Sequence, residues 1–116
     1  MTYKEFDAHL DGLFNDIKAI RKVASLEYAR GEDTFGNFNR IAARMNLTPA
    51  QVLLVYLEKH IDGLHAHFGD GFEMQREVPR GRILDSMLYL ALLSGMAAQS
   101  EKEKDDKYAY PEGAPV

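Results

Sequence analysis

Two apolar segments carry ionisable residues where a core should be dry. Val52-Leu53-Leu54-Val55-Tyr56-Leu57 runs straight into Glu58-Lys59-His60-Ile61-Asp62, and Asp85 interrupts an apolar run that resumes at Met87-Leu88-Tyr89-Leu90-Ala91-Leu92-Leu93. Ionised side chains are rarely fully buried unless paired or ligated. Lys59, Asp62 and Asp85 are therefore expected to meet one another, a ligand or a metal.

Helical spacing accounts for most of the chain. Phe6, Leu10, Leu13, Phe14, Ile17, Ile20, Val23 and Ala24 recur three and four apart, the spacing of one helical face, which predicts a first helix from about Tyr3 to Ala29. Glycine at position 31 suits its end, and the segment from Gly31 to Gly36 reads as a loop. A short helix from about Asn37 to Met45 follows, with Phe38, Ile41, Ala42 and Met45 inward. Thr48-Pro49-Ala50-Gln51 is the clearest local signal: a threonine N-cap, proline at the first helical position and glutamine at the third make a capping box. The third helix then runs to about His67, before Gly69-Asp70-Gly71. The fourth starts near Pro79 and runs to about Gln99.

The prediction is an all-α four-helix bundle of three long helices and one short, in one domain over residues 1–100, with a polar tail over 101–116. The third and fourth helices are apolar on nearly every side. A helix apolar all round is buried all round, which in so small a domain points to a partner surface, most simply that of a homodimer.

The chain has no cysteine, so disulfides and thiolate metal sites are excluded. A net charge of −4 argues against sequence-independent nucleic-acid binding, which needs a basic field. Met1-Thr2-Tyr3-Lys4-Glu5 has no apolar signal core, and the stretch from Met87 to Ala98, broken by Ser94 and Gly95, is short for a bilayer. A cytoplasmic protein with no membrane association is expected.

Following the chain up and down a bundle brings polar groups from separate segments to one end. Glu27 closes the first helix there, Lys59 and Asp62 lie in the upper half of the third, and Arg82 and Asp85 lie near the start of the fourth. Bundles build ligand and metal sites in this way. Glu27, Asp62 and Asp85, if adjacent, form an oxygen-rich cage suited to Mg²⁺ or Mn²⁺. Lys59 with Arg76, Arg80 and Arg82 could then hold phosphate oxygens.

Three segments carry a resemblance: Glu27-Tyr28-Ala29-Arg30-Gly31-Glu32-Asp33-Thr34-Phe35-Gly36-Asn37-Phe38, then Lys59-His60-Ile61-Asp62-Gly63-Leu64, then Gly81-Arg82-Ile83-Leu84-Asp85 with Leu88-Tyr89-Leu90. With these the chain resembles small phage-type helical proteins related to the all-α nucleoside triphosphate pyrophosphatases, the MazG-like group. The resemblance implies a dimeric or tetrameric helical bundle. In the enzymes, acid pairs on two helices hold Mg²⁺, and water cleaves a nucleoside triphosphate to monophosphate and pyrophosphate. It places Tyr28 and Asn37 beside Lys59, Asp62, Arg82 and Asp85 as candidate ligand-binding residues, with Glu27, Asp62 and Asp85 as candidate metal ligands. The enzymes carry Glu-x-x-Glu and then Glu-x-x-Asp. Here Asp85 remains from the second motif, Arg82 stands where its glutamate should be, and Glu58 with Asp62 replaces the first at a spacing of four. Arginine reverses the charge at that place. Catalysis is left open, while recognition of a nucleotide or other phosphate compound fits.

Plainer readings stand beside these. Asp62 and Asp85 could pair with Lys59 and Arg82 as structural ion pairs, and Glu27 could be an exposed residue of a last helical turn. Asn37 and Asn39 suit cap and turn positions. His60, His65 and His67 resemble a metal set, but their spacings of five and two do not put them on one helix face. Tyr56 and Tyr89 read as core aromatics. A non-enzymatic helical homodimer that binds a host protein is the competing function.

Overall fold

A computed structural model describes residues 1–24, 33–73 and 78–104. Within them lie four α-helices and no strand: α1 (Tyr3–Ala24), α2 (Gly36–Met45), α3 (Pro49–Leu64) and α4 (Pro79–Lys104). The protein is all-α, as its periodicity predicts.

Each start has a local cause. Thr2 and Glu5 form a reciprocal cap on α1: Thr2 N donates to Glu5 Oε2 at 2.8 Å, and Glu5 N donates to Thr2 Oγ1 at 3.1 Å. The Thr48–Gln51 capping box forms as expected, with Gln51 N donating to Thr48 Oγ1 at 3.1 Å and Thr48 N to Gln51 Oε1 at 2.9 Å. Ahead of α2, Asp33 ties down the turn by accepting from Phe35 N at 3.0 Å and from Asn39 Nδ2 at 3.2 Å. Asn46 ends α2 in the left-handed region at φ 55°, a conformation asparagine tolerates better than most residues.

Two ends differ from expectation. Beyond Leu64 the backbone widens into a π-helical turn, His65–Gly69, so helix continues past His67. Asp70 N bonds His65 O at 3.2 Å, and Gly71, at φ 75°, turns the chain away. At the other end α4 runs through Glu101 to Lys104, so the expected polar tail begins as helix.

The core sits where α2, α3 and α4 meet. Phe38 and Ala42 of α2 and Val52 and Leu53 of α3 are buried, with Tyr56, Tyr89, Leu92, Leu93 and Met96 packed against them. Phe35 lies over α4 at Gly95, where an added Cβ would come within 3.1 Å of its ring. The helix order in space is α2 on α3, α3 on α4, and α4 on α1.

Several expected core positions lie outside this core. No residue of α1 is buried. Leu10, Leu13, Ile17, Ile20 and Ala24 are half-buried, while Phe6, Phe14 and Val23 are exposed, as is Met45 of α2. A periodic stripe identifies a face; it does not say how much of that face the rest of the chain covers. On α3, Leu54 and Val55 are exposed while Val52, Leu53 and Leu57 are buried. By length and composition alone, α4 reaches the threshold of a membrane span. That helix packs on α1 and α3.

Thr48→Ala is expected to cost about 1 kcal/mol in urea denaturation, the usual value of an N-cap. Thr2→Ala should cost less, because α1 contributes no buried residue whose packing depends on its first turn.

Candidate functional site

The site forms from two one-turn pairs on packed helices. Tyr56 and His60 are four apart on α3, and Asp85 and Tyr89 are four apart on α4, so each pair shares a helix face. Where the faces meet, the His60 and Tyr89 rings lie 5.4 Å apart, and His60 Nδ1 is 4.0 Å from Asp85 Oδ2. Deeper in, Tyr89 and Tyr56 are 6.4 Å apart, and Phe38 stands 6.1 Å from Tyr56 and 6.3 Å from Tyr89. The result is a ladder of rings from the core to the rim. His60 retains 13% of its side-chain exposure and Asp85 31%, so the acid is the outer member. The 4.0 Å separation suits an ion pair with a protonated imidazole and is too long for a direct hydrogen bond. Nδ1 is buried and makes no hydrogen bond among the described residues.

Arg82 lies one turn before Asp85 on α4 and folds onto the backbone of α3. Its Nη1 donates to the Lys59 carbonyl at 3.4 Å. Gly63 makes that approach possible, since a Cβ there would stand 2.6 Å from Arg82 Nε and 2.8 Å from Cζ. Buried Ser86 donates through Oγ to the Arg82 carbonyl at 2.7 Å. The guanidinium, the carboxylate and the imidazole are thus held along one interhelical seam.

The expected site residues divide. Arg82 and Asp85 lie on this seam. Lys59 takes part through its carbonyl, and its side chain is exposed. Asp62 is exposed and lies about 200° round α3 from His60, so it leaves the seam that Asp85 faces. Asn37 is half-buried in the first turn of α2. Glu27 and Tyr28 lie outside the described residues. Among the described residues, no three acidic or histidine side chains come together to hold a metal ion. The expected arginine cluster is also divided: Arg80 is ion-paired with Asp16 of α1, and Arg76 lies outside the described residues. The three histidines do not form a set. His60 faces Asp85, His67 Nδ1 contacts the Phe72 carbonyl at 2.8 Å, and His65 is exposed.

His60 is the residue that sequence reasoning underweighted. Spacing along α3 puts it on a different face from His65. The missed signal was the match between two pairs, each an aromatic residue and an ionisable one four apart, on consecutive long helices. Chemically, the arrangement sets an imidazole and a carboxylate side by side, with a phenol ring against the imidazole and a guanidinium on the α3 backbone at Lys59 and Gly63. Such a set can hold a proton or an anion. No known protein family, curated protein or solved structure matches the chain.

Proposed function

We propose that this is a cytoplasmic, nucleotide-related protein of the phage-type MazG-like kind, a four-helix bundle that recognises a nucleotide or another phosphate-bearing compound at the α3–α4 seam. One observation carries the reading. Two of the segments on which the resemblance rests, 59–64 and 81–90, meet: the Arg82 side chain lies on the backbone at Gly63, and His60 lies against Asp85 and Tyr89. Arg82 would supply the planar fork of N–H donors that suits phosphate oxygens, and the half-buried rings a surface for a base.

Recognition fits the donor set better than hydrolysis. A protein-held Mg²⁺ takes several oxygen ligands, whereas Asp85 stands beside an imidazole, with an arginine one turn before it on α4. Mg²⁺ would arrive with the nucleotide's phosphates, and Glu27, outside the described residues, is the further acid the resemblance offers.

The test is a panel of canonical and modified nucleoside triphosphates, with and without Mg²⁺, read by thermal shift and by pyrophosphate release. At a hundredfold excess over Kd a ligand contributes about 2.7 kcal/mol, which shifts the melting temperature of a domain this size by roughly 10 °C. A shift without pyrophosphate identifies a binder, and release of pyrophosphate identifies a hydrolase. No shift and no turnover with any compound removes the reading. The second reading, a non-enzymatic homodimer that binds a host protein, draws on Leu54 and Val55 of α3 and Leu90 of α4, which are 45%, 61% and 53% exposed.

A further inference from the structure

The first helix carries a seam that its own chain only half covers. Within α1 the apolar residues follow a seven-residue period: Tyr3, Leu10, Ile17 and Ala24 at one position, Phe6, Leu13 and Ile20 at the other. Such a repeat is the seam of a helix that winds on another helix. In the chain α4 packs on α1, whose Leu10, Leu13, Ile17 and Ile20 are half-buried, and Asp16 on one flank of the seam is ion-paired with Arg80. The other flank is Asp7, Phe14 and Arg21, all exposed.

We propose that α1 docks antiparallel on α1 of a second copy of this chain, with the two Phe14 rings meeting on the two-fold axis. The charges along the open flank point to this occupant. Asp7 and Arg21 each lie seven residues from Phe14, about 10 Å along the helix in opposite directions. A two-fold axis through Phe14 therefore sets each Asp7 against the partner's Arg21. On the outer edge, Asp11 and Lys18 stand three and four residues from Phe14 and meet their counterparts in the same sense. The flank is complementary to itself when reversed, which an isologous contact requires. Parallel pairing instead sets Asp7 on Asp7 and Arg21 on Arg21.

Exposure sets the strength. Tyr3, Phe6 and Phe14 are 92%, 45% and 53% exposed, which at roughly 200 Å² per aromatic residue leaves about 400 Å² of aromatic surface per copy. Twice that is well short of the roughly 1,600 Å² of a standard interface. The association is reversible, in the micromolar range. It is independent of the proposed ligand site.

Sedimentation across the micromolar range should show a monomer–dimer equilibrium. Asp7→Arg and Arg21→Asp should each yield monomers of unchanged helix content, and the double variant with both reversals should restore the dimer. Since the chain lacks cysteine, single cysteines report geometry directly. Phe14→Cys should oxidise to a covalent dimer, and Asp7→Cys should cross-link with Arg21→Cys but not with itself. A wild-type chain that stays monomeric, its α1 then left for some other partner, overturns the proposal. So does a dimer indifferent to the single reversals, or an Asp7→Cys variant that cross-links with itself as readily as with Arg21→Cys.

Discussion

Replacing Phe38 with alanine is expected to destabilise the protein by about 3–5 kcal/mol, the range for deleting a buried aromatic ring. Phe38 is 3% exposed and belongs to the cluster at the meeting of α2, α3 and α4. Its ring contacts both Tyr56 and Tyr89, so the substitution removes two aromatic pairs as well as apolar volume. A domain has some 5–15 kcal/mol of stability in all, and this core is small, with Leu53 its one large, fully buried side chain among the described residues. The variant should therefore sit near the edge of unfolding at room temperature. Phe38→Leu keeps most of the volume and should cost about 1–2 kcal/mol. Urea denaturation measures both. A cost below 1 kcal/mol for Phe38→Ala would mean that the cluster does not organise the fold. The same ring supports the site: Tyr89, which Phe38 props, is the ring against which His60 lies. Loss of the phenylalanine should loosen the seam before the chain unfolds.

Helix starts were legible because their causes are local. The Thr48–Gln51 box needs only residues within one turn, and it formed as read. The box at Thr2 and Glu5 carries the same kind of signal, with glutamate as the reciprocal partner. The end of α3 was less legible, because a π-helical turn rests on a backbone bond five residues long, Asp70 N to His65 O at 3.2 Å, and no residue type announces that.

The exposure of α1 was not legible, for a different reason. Phe6 and Phe14 do lie on an apolar stripe, but whether a stripe is buried depends on how far neighbouring helices reach, which a periodicity does not encode. The site shows the same limit at finer scale. Spacing states which residues share a face of one helix; it does not state which face turns to the neighbour. Asp62 and His60 are two residues apart, so a choice between them is a choice between opposite sides of α3. The charge of Asp62 marks one side, and packing against α4 takes the other. Asp85 and Arg82 lie on the seam because both fall within reach of the face of α4 that meets α3.

That difference between the two sides of α3 sets up the second large effect. Asp85→Asn is expected to weaken binding of the Mg²⁺-bound nucleotide about ten- to a hundredfold, since the carboxylate would meet the cation that arrives with the phosphates, a charge-assisted contact worth roughly 1.5–3 kcal/mol. Stability should change little, because asparagine has nearly the same shape and the side chain keeps 31% of its exposure. Asp62→Asn serves as the contrast. It removes the same charge from a position two residues beyond His60, on the exposed side of α3, and should leave affinity unchanged. Gly63→Leu supplies a third arm, since it alters no charge at all. Its Cβ alone enters space now held by the Arg82 guanidinium, at 2.6 Å from Nε, so the arginine must leave the Lys59 carbonyl and affinity should fall as with Asp85→Asn. Titration calorimetry with the best compound from the nucleotide panel reads all three. Equal losses for Asp62→Asn and Asp85→Asn would mean that the ligand approaches α3 from its exposed side, and the seam between α3 and α4 would no longer be the site.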